Sequence, residues 1–282
     1  MSKTYVSDWL GLTIGNSRLH WGWFKGDILT ETWDSPHFSH PVTDLMPYLQ
    51  PQISPSLPLY FASVVPQQTT LLLSLDSIEL REILLSDVPI KGLYPTIGID
   101  RAIALWGAVQ TYGLPVLVID AGTALTFTGA NHTQLRKQTE SKISPHHPKT
   151  HPVTPAIPDS QSSSPTLFGG AILPGLRLQF QSLHQKTAAL PSVSLSPQLP
   201  QRWALNTPNA IESGILYTLL AGIQDFIKDW LQQFPHSKVI FTGGDATMLS
   251  SLLPPQDAEM IVDPNLIFWG ARAIVEQYSI YR

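Results

Sequence analysis

Apolar residues along this chain form short runs that end at glycine turns, a pattern that predicts strands alternating with helices. Residues 9–24, WLGLTIGNSRLHWGWF, carry apolar residues on both sides of a Gly-Asn pair, which is typical of two strands joined by a tight turn. Residues 116–129, VLVIDAGTALTFTG, repeat this form around Gly122. Aligning the two turns makes Thr13 the counterpart of Asp120, so the pattern predicts a duplicated domain.

Helical patterns follow these strand pairs. The stretch AIALWGAVQTYG, residues 102–113, places Ile103, Trp106 and Val109 on one helical face. Residues 206–234 form the longest predicted helix, with a proline near its start, where a missing amide does no harm. Strand pairs that alternate with helices indicate an α/β fold with mixed sheets covered by helices.

Residues 131–166 interrupt this pattern. The stretch is dominated by Pro, Ser, Thr, His and Lys and has almost no apolar residue, so burial cannot offset the entropy of ordering it. We predict a disordered insert at the tip of a hairpin. Its histidines are of a type that binds metals, but a flexible, proline-broken tract rarely preorganises ligands, and a solvated linker is the favoured interpretation. These histidines are His132, His146, His147 and His151.

The composition limits the size, partners and compartment of the protein. With 282 residues, 43% of them hydrophobic, the chain can bury two packed halves, expected at residues 1–115 and 116–282. A formal net charge of −4 provides no basic surface for nucleic acid. The absence of cysteine excludes disulfides, thiolate metal sites and a cysteine nucleophile. Neither a secretory signal pattern nor an apolar run of about 18 residues occurs, so we expect a cytoplasmic protein without a membrane span.

The two glycine turns carry the first candidate chemistry. Each turn offers backbone amides and hydroxyls to an anion, and Asp120 adds a carboxylate at the end of a strand. Either turn alone is more simply an ordinary tight turn, but a pair at matching positions favours a clamp around a triphosphate. No P-loop sequence occurs. The Gly243-Gly244 pair admits either a flat ligand or a plain strand-to-helix turn.

Asp100 is the most consequential ionisable residue. It stands just before an apolar helical run, where aspartate is a preferred N-cap, and the residues alone favour a cap over a catalytic role. Arg101 beside it is, by the same reasoning, expected to be a solvated charge.

Seven segments, taken together and in order, resemble the type III pantothenate kinase family. They are GNSRLHWG, GLYPTIGIDRAIALWGA, IDAGTALTFTG, FGGAILPGL, KTAALP, NTPNAIESGI and FTGGDA. The resemblance covers nearly the whole chain apart from residues 131–166. It implies two ribonuclease-H-like domains of the acetate kinase, sugar kinase, Hsc70 and actin superfamily, with nucleotide in the interdomain cleft. It also implies a homodimer that phosphorylates pantothenate to 4'-phosphopantothenate with ATP, the first step of coenzyme A biosynthesis.

The resemblance assigns a role to each matching position. Asp100 is implied to be the general base, and Asp120 to ligate a monovalent cation, K⁺ or NH₄⁺, with Mg²⁺ accompanying ATP. The implied pantothenate-binding residues are Tyr94, Gly98, Ile99, Asp100, Arg101 and Thr207. The implied ATP-binding residues are Thr13, Ile14, Gly15, Asn16, Ser17, Arg18, Leu19, His20, Gly122, Thr123, Gly243 and Gly244.

One position departs from the family pattern. The first phosphate turn of the family carries an aspartate two residues before its glycine, and this chain has Thr13 there. We therefore expect weaker metal affinity at this turn. Two alternatives remain beside a pantothenate kinase: a kinase of the same superfamily for another small alcohol, and a non-catalytic regulatory relative.

Overall fold

Two five-stranded sheets organise the protein in a computed structural model that describes residues 7–132, 164–196, 198–255 and 258–280. The first sheet comprises β1 (Trp9–Ile14), β2 (Leu19–Lys25), β3 (Ile28–Ser35), β4 (Leu59–Ser63) and β5 (Leu80–Glu82). The second comprises β6 (Val116–Ala121), β7 (Ala124–His132), β8 (Pro165–Pro174), β9 (Lys238–Thr242) and β10 (Met260–Val262). The helices are α1 (Pro66–Leu72), α2 (Ile99–Tyr112), α3 (Leu176–Lys186), α4 (Thr207–Gln233), α5 (Ala246–Leu252) and α6 (Leu266–Ile280).

The two sheets share one topology. The first has the order β3-β2-β1-β4-β5, and the second, read in the same sense, has β8-β7-β6-β9-β10. In each, the first three strands in sequence are antiparallel neighbours and the last two run parallel to the first. Thr13 and Asp120 each precede the last residue of the equivalent strands β1 and β6. The predicted duplication, its alignment and the α/β class with mixed sheets are confirmed.

Helices α2 and α6 cross closely between the sheets. Gly107 on α2 faces the backbone of Leu266, and Gly270 on α6 faces the backbone of Ile103, so a side chain at either glycine would collide with the other helix. Phe268 of α6 also packs against Phe24 of the first sheet. The sheets separate near the predicted division after residue 115, although α6 returns to the first sheet. The division into domains stays a prediction.

The longest helix, α4, packs against the second sheet. Its length and composition alone would allow it to cross a membrane, and it is the one such helix in the described part of the chain. Half of its most apolar window is buried. Leu216, Ile223 and Ile227 belong to one core cluster with Phe127 and Phe241 of the sheet, which accounts for its apolar face.

The prediction of a disordered insert over residues 131–166 is wrong at both ends of that segment. Asn131 pairs with Thr166, and His132 pairs with Pro165, so β7 and β8 extend into residues 131–166. The rest of the insert, residues 133–163, lies outside the described residues, as do three of its four histidines. The fifth strand of the first sheet also lies at Leu80–Glu82, where the sequence pattern had not indicated it.

Candidate active site

A cleft of about 650 Å³ opens where the two sheets face each other. It gathers residues from both halves of the chain, at the ends of β1 and β6 and at the start of α2. Sixteen of the nineteen residues predicted for the site line it: Thr13, Ile14, Gly15, Asn16, Ser17, Arg18, His20, Gly98, Ile99, Asp100, Arg101, Asp120, Gly122, Thr123, Gly243 and Gly244.

The two glycine turns meet across the cleft. The hydroxyls of Ser17 and Thr123 lie 2.7 Å apart although 106 residues separate them in sequence. Each turn is closed by its own backbone: the amide of Gly15 donates to the carbonyl of Arg18 at 3.1 Å, and the amide of Gly122 donates to that of Ala124 at 3.2 Å. The turns therefore form two facing walls, the arrangement that a clamp around phosphates requires.

Asp120 stands between two glycine turns. Gly243 has φ of +88°, and a side chain there would collide with the Asp120 carboxylate, so only glycine fits. No described residue donates a hydrogen bond to this carboxylate. Burial raises its pKa to about 6, the negative charge of Asp100 adds to the rise, and Arg101 and Arg18 oppose it. A desolvated carboxylate without a donor fits a site that binds a cation.

Asp100 lies in the first turn of α2. The helix begins at Ile99 and its N-cap is Gly98, so the prediction that Asp100 is the cap is wrong. The carboxylate accepts a hydrogen bond of 2.8 Å from the amide of Arg101 and lies over Gly98, where a side chain would collide with it. Burial raises its pKa, and the amide bond and charge of Arg101 oppose the rise. The raised pKa makes this carboxylate a better proton acceptor than a solvated one.

The guanidinium of Arg101 is held from several sides. Its residue is only 8% exposed, so the expectation of a solvated charge is wrong. It donates to the hydroxyls of Thr128 and Tyr94 at 3.0 and 3.1 Å, and to the carbonyl of Phe127 at 3.2 Å. Within the described ranges, no carboxylate lies at ion-pair distance from it. A buried cation satisfied only by neutral acceptors suits an anionic group of a ligand in the cleft.

Three predicted residues do not line the cleft. Leu19 is fully buried in the core of the first sheet, so its side chain lies away from the cleft, and its contact with ATP stays a prediction. Tyr94 is exposed and reaches the cleft only through its hydrogen bond with Arg101. Thr207, at the start of α4, lines a separate shallow depression together with Leu205 and Asn206.

One charged residue of the cleft, Asp34, was not predicted from the sequence. It lies on β3, a strand whose alternation of exposed and half-buried residues includes no buried position. A strand of this kind gives little apolar signal, because its side chains are at most half-buried. Leu29 and Trp33 pack against the core without being enclosed by it. The usable signal was its proximity to the β1–β2 hairpin, which favours a third antiparallel strand beside it.

Comparisons with known proteins identify the family to which this chain is similar. The profile of the family described as type III pantothenate kinase matches residues 9–134 and 160–229. A type III pantothenate kinase of Nostoc sp. (strain PCC 7120) is 42% identical over 299 residues, covering 97% of this chain and 96% of that protein. One of Thermosynechococcus vestitus is 38% identical over 275 residues, covering 95% and 91%.

A solved structure shares the fold. The crystal structure described as a conserved putative Baf family transcriptional activator from Campylobacter jejuni superposes with a TM-score of 0.56 at 20% identity, covering 95% of this chain and 98% of that one. That likeness concerns the fold alone. The full-length relatives and the matching family profile lead to one conclusion: this chain belongs to the type III pantothenate kinase family.

Proposed function

We propose that this chain transfers the γ-phosphoryl group of ATP to pantothenate, with Asp100 as the general base. The observation that carries the proposal is that the Asp100 carboxylate lines the same cleft as both glycine turns. The phosphates would lie between the turns, and the acceptor hydroxyl would approach from the start of α2. Family membership supports the reaction, and the cleft supports these roles.

The residues present suffice for this chemistry. Phosphoryl transfer proceeds through a loose transition state, so catalysis depends on positioning and charge stabilisation rather than on a covalent intermediate. The turns around Gly15 and Gly122 position the phosphates with amides and hydroxyls. Asp100 orients the acceptor hydroxyl and takes its proton late, and its raised pKa favours that transfer.

Arg101 provides the binding site for the substrate carboxylate. Its guanidinium is fixed by Tyr94, Phe127 and Thr128 before the substrate arrives, so little side-chain entropy is lost on binding. Gly98 leaves room for the Asp100 carboxylate beside the acceptor hydroxyl. This geometry favours an acidic alcohol such as pantothenate over a neutral sugar.

Asp120 provides the binding site for a monovalent cation, K⁺ or NH₄⁺, next to the phosphates. Its carboxylate, cradled by Gly122 and Gly243, has no competing donor among the described residues. A divalent ion bound to ATP supplies neutralisation of charge on the phosphate oxygens. Thr13 offers no carboxylate for that ion, so the protein holds it chiefly through Asp120 and the phosphates themselves.

A homodimer accounts for the position of Thr207, which lies outside the cleft of its own chain. Around it, Trp203 is 87% exposed and Leu205 is fully exposed, an apolar surface that a second copy would cover. In such a dimer Thr207 reaches the pantothenate site of the partner.

Light scattering on a size-exclusion column tests this dimer: the wild type is expected to be dimeric, and Trp203→Glu should yield monomers with raised KM for pantothenate. A monomeric wild type contradicts it. We assign the enzyme to the cytoplasm.

An assay of ADP formation tests the reaction. We expect turnover with pantothenate and none with glucose or glycerol as acceptor. Asp100→Asn should lower kcat by about 10²- to 10⁴-fold because the proton acceptor is lost. The control Asp76→Asn removes the same charge at an exposed position outside the cleft and should retain full activity.

Circular dichroism and thermal melting establish that each variant is folded. Turnover with a sugar instead of pantothenate would favour another kinase of the superfamily. Nucleotide binding without turnover would favour a regulatory relative. An Asp100→Asn variant with wild-type kcat would contradict the role of the base.

A further inference from the structure

A row of directly paired residues crosses the first sheet at the cleft, and its acidic residue, Asp34, lies on the edge strand β3. Thr13 on β1 pairs with His20 on β2, which pairs with Asp34 on β3. Directly paired residues point to the same face of a sheet, and all three line the cleft. In the second sheet the acid of the equivalent row, Asp120, lies on the central strand β6. In the first sheet the carboxylate of this row therefore lies two strands away from the position that is equivalent to Asp120.

Both oxygens of the Asp34 carboxylate are engaged. One accepts a hydrogen bond of 2.8 Å from Nη1 of Arg18, and the other lies 2.7 Å from Nδ1 of His20. The ring of His20 packs in turn against Phe268 at 4.7 Å between centroids. Asp34 is thus fixed by the sheet through His20, and it fixes the guanidinium of Arg18.

Arg18 extends from the first phosphate turn towards the opposite half of the protein. Its Nη2 atom lies 3.6 Å from where a Cβ atom of Gly244 would stand, on the turn that follows β9. The charge of Arg18 also lowers the pKa of Asp120 across the cleft. The guanidinium therefore bridges the cleft, with Nη1 held by the first half and Nη2 near the second.

We propose that Asp34 is a positioning residue of the nucleotide site, which holds Arg18 across the cleft so that the guanidinium binds the phosphates of ATP. The inference rests on the proposed function, because it requires that ATP occupies the cleft. Arg18 then contributes a fixed positive charge at the wall where the family aspartate is replaced by Thr13. A wall with arginine and without that aspartate repels a phosphate chain less, so nucleotide binding here depends less on the divalent ion.

The physical basis is preorganisation. An unrestrained arginine loses rotamer freedom when it binds phosphate, and one already held by a carboxylate loses less. The Arg18 and Asp34 side chains are 51% and 39% exposed, so solvent screens their ion pair and its contribution to stability is modest. The pair uses Nη1 of Arg18, and the other donors of the guanidinium are left for a ligand.

The direction in which Asp34→Asn changes the affinity for ATP tests the proposal. ATP is an anion, so removal of a neighbouring negative charge should tighten its binding if Asp34 merely stands nearby. If Asp34 positions Arg18, Asp34→Asn should weaken binding instead, by about three- to fivefold. Binding is measured by calorimetry with ATP, ADP and adenosine, each with Mg²⁺ and with EDTA. Adenosine, which has no phosphate, should bind equally to wild type and variant.

Two further variants complete a double-mutant cycle. Arg18→Gln should weaken ATP binding by about tenfold, and Asp34→Asn should have no further effect in that background because it acts through Arg18. Asp76→Asn, an exposed acid of the first half outside the cleft, should leave ATP binding unchanged. In steady-state assays the Asp34→Asn change should appear in KM for ATP and not in KM for pantothenate.

The outcomes separate the inference from the proposed function. Tighter or unchanged ATP binding by Asp34→Asn, with a wild type that binds ATP, overturns the positioning role alone. Additive effects of the two substitutions overturn it as well. A wild type that binds neither ATP nor ADP overturns the proposed function, and the inference with it.

Discussion

Ser17 and Thr123 join the two halves of the protein by a hydrogen bond of 2.7 Å between their hydroxyls. The two residues occupy equivalent hairpins of the duplicated sheets, so the bond connects a pseudo-symmetric pair of turns that we propose bind phosphates. Either hydroxyl can serve as donor, and both point to the space between the turns. A nucleotide placed there meets both hydroxyls at once.

We expect Thr123→Val, which removes a hydroxyl and keeps the shape of the side chain, to raise KM for ATP by about tenfold, since a hydrogen bond to a charged phosphate is lost. KM for pantothenate should not change. Steady-state kinetics with each substrate varied in turn measure both values. The control Thr70→Val removes an exposed hydroxyl on α1 that donates to Pro66 at 3.1 Å, outside the cleft. An equal effect of the two substitutions would argue against a phosphate contact.

Gly243→Ala tests the cradle of Asp120. Any Cβ at this position lies 2.7 Å from the carbonyl carbon of Ala121 and collides with the Asp120 carboxylate, so the acid must move. We expect loss of ATP binding together with destabilisation.

The control for backbone strain is Gly113→Ala. Gly113 has φ of +81°, close to that of Gly243, but a Cβ there has nothing within 4 Å. Gly113→Ala should cost about 1–3 kcal/mol of stability, since a residue other than glycine is strained at this positive φ, and leave ATP binding intact. Calorimetric titration with ATP and thermal melting of both variants check the comparison. Normal ATP binding by Gly243→Ala would show that the Asp120 position is not needed.

The sequence predicted those features that depend on local pattern. Apolar runs around the Gly15 and Gly122 turns identified both hairpins and their equivalence. The sequence did not predict burial that depends on residues distant in the chain. Arg101 is buried because β7, which follows it in sequence, brings Thr128 and the carbonyl of Phe127 to its guanidinium. No local signal reports such a contact.

Alternation along a strand explains why the predicted ATP-binding segment lines the cleft only in part. The resemblance assigned a continuous segment to ATP binding, but neighbouring residues of β2 point to opposite faces. His20 therefore lines the cleft while Leu19 enters the core. Asp34 was missed for a related reason: its place in the cleft arises from its register opposite His20, and register is a property of the folded sheet.

Asp120→Asn should make the unliganded protein more stable while it removes cation-dependent ATP binding. Burial raises the pKa of Asp120 from 3.8 to about 6, so the folded state binds this proton more tightly than the unfolded chain. The ionised carboxylate therefore lowers the free energy of unfolding. This destabilisation is absent below about pH 4 and fully present above about pH 6. At pH 7 its removal should add about 1–3 kcal/mol to the free energy of unfolding.

Denaturant titrations at pH 4 and pH 7 measure this effect. The gain from Asp120→Asn should appear at pH 7 and shrink at pH 4, where the wild-type carboxyl is protonated as well. Calorimetry with ATP in K⁺, NH₄⁺ or Na⁺ buffers measures the accompanying loss of cation dependence. A variant less stable than the wild type at pH 7, or one whose ATP binding still responds to K⁺, would contradict a cation role for this acid.

Thr13→Asp introduces the carboxylate that the family resemblance implies for the first glycine turn. Thr13 pairs with His20 and Ala62 on the neighbouring strands, and it lines the cleft in a position equivalent to that of Asp120. A carboxylate here attracts the divalent ion that accompanies ATP, so we expect a lower KM for ATP and a lower Mg²⁺ concentration at half-maximal rate. The added negative charge should at the same time weaken binding of ATP in EDTA, because no ion then offsets its repulsion of the phosphates. Opposite shifts with and without Mg²⁺ are the expected signature, and an unchanged or raised KM at saturating Mg²⁺ would show that this wall does not contact the metal-bound phosphates.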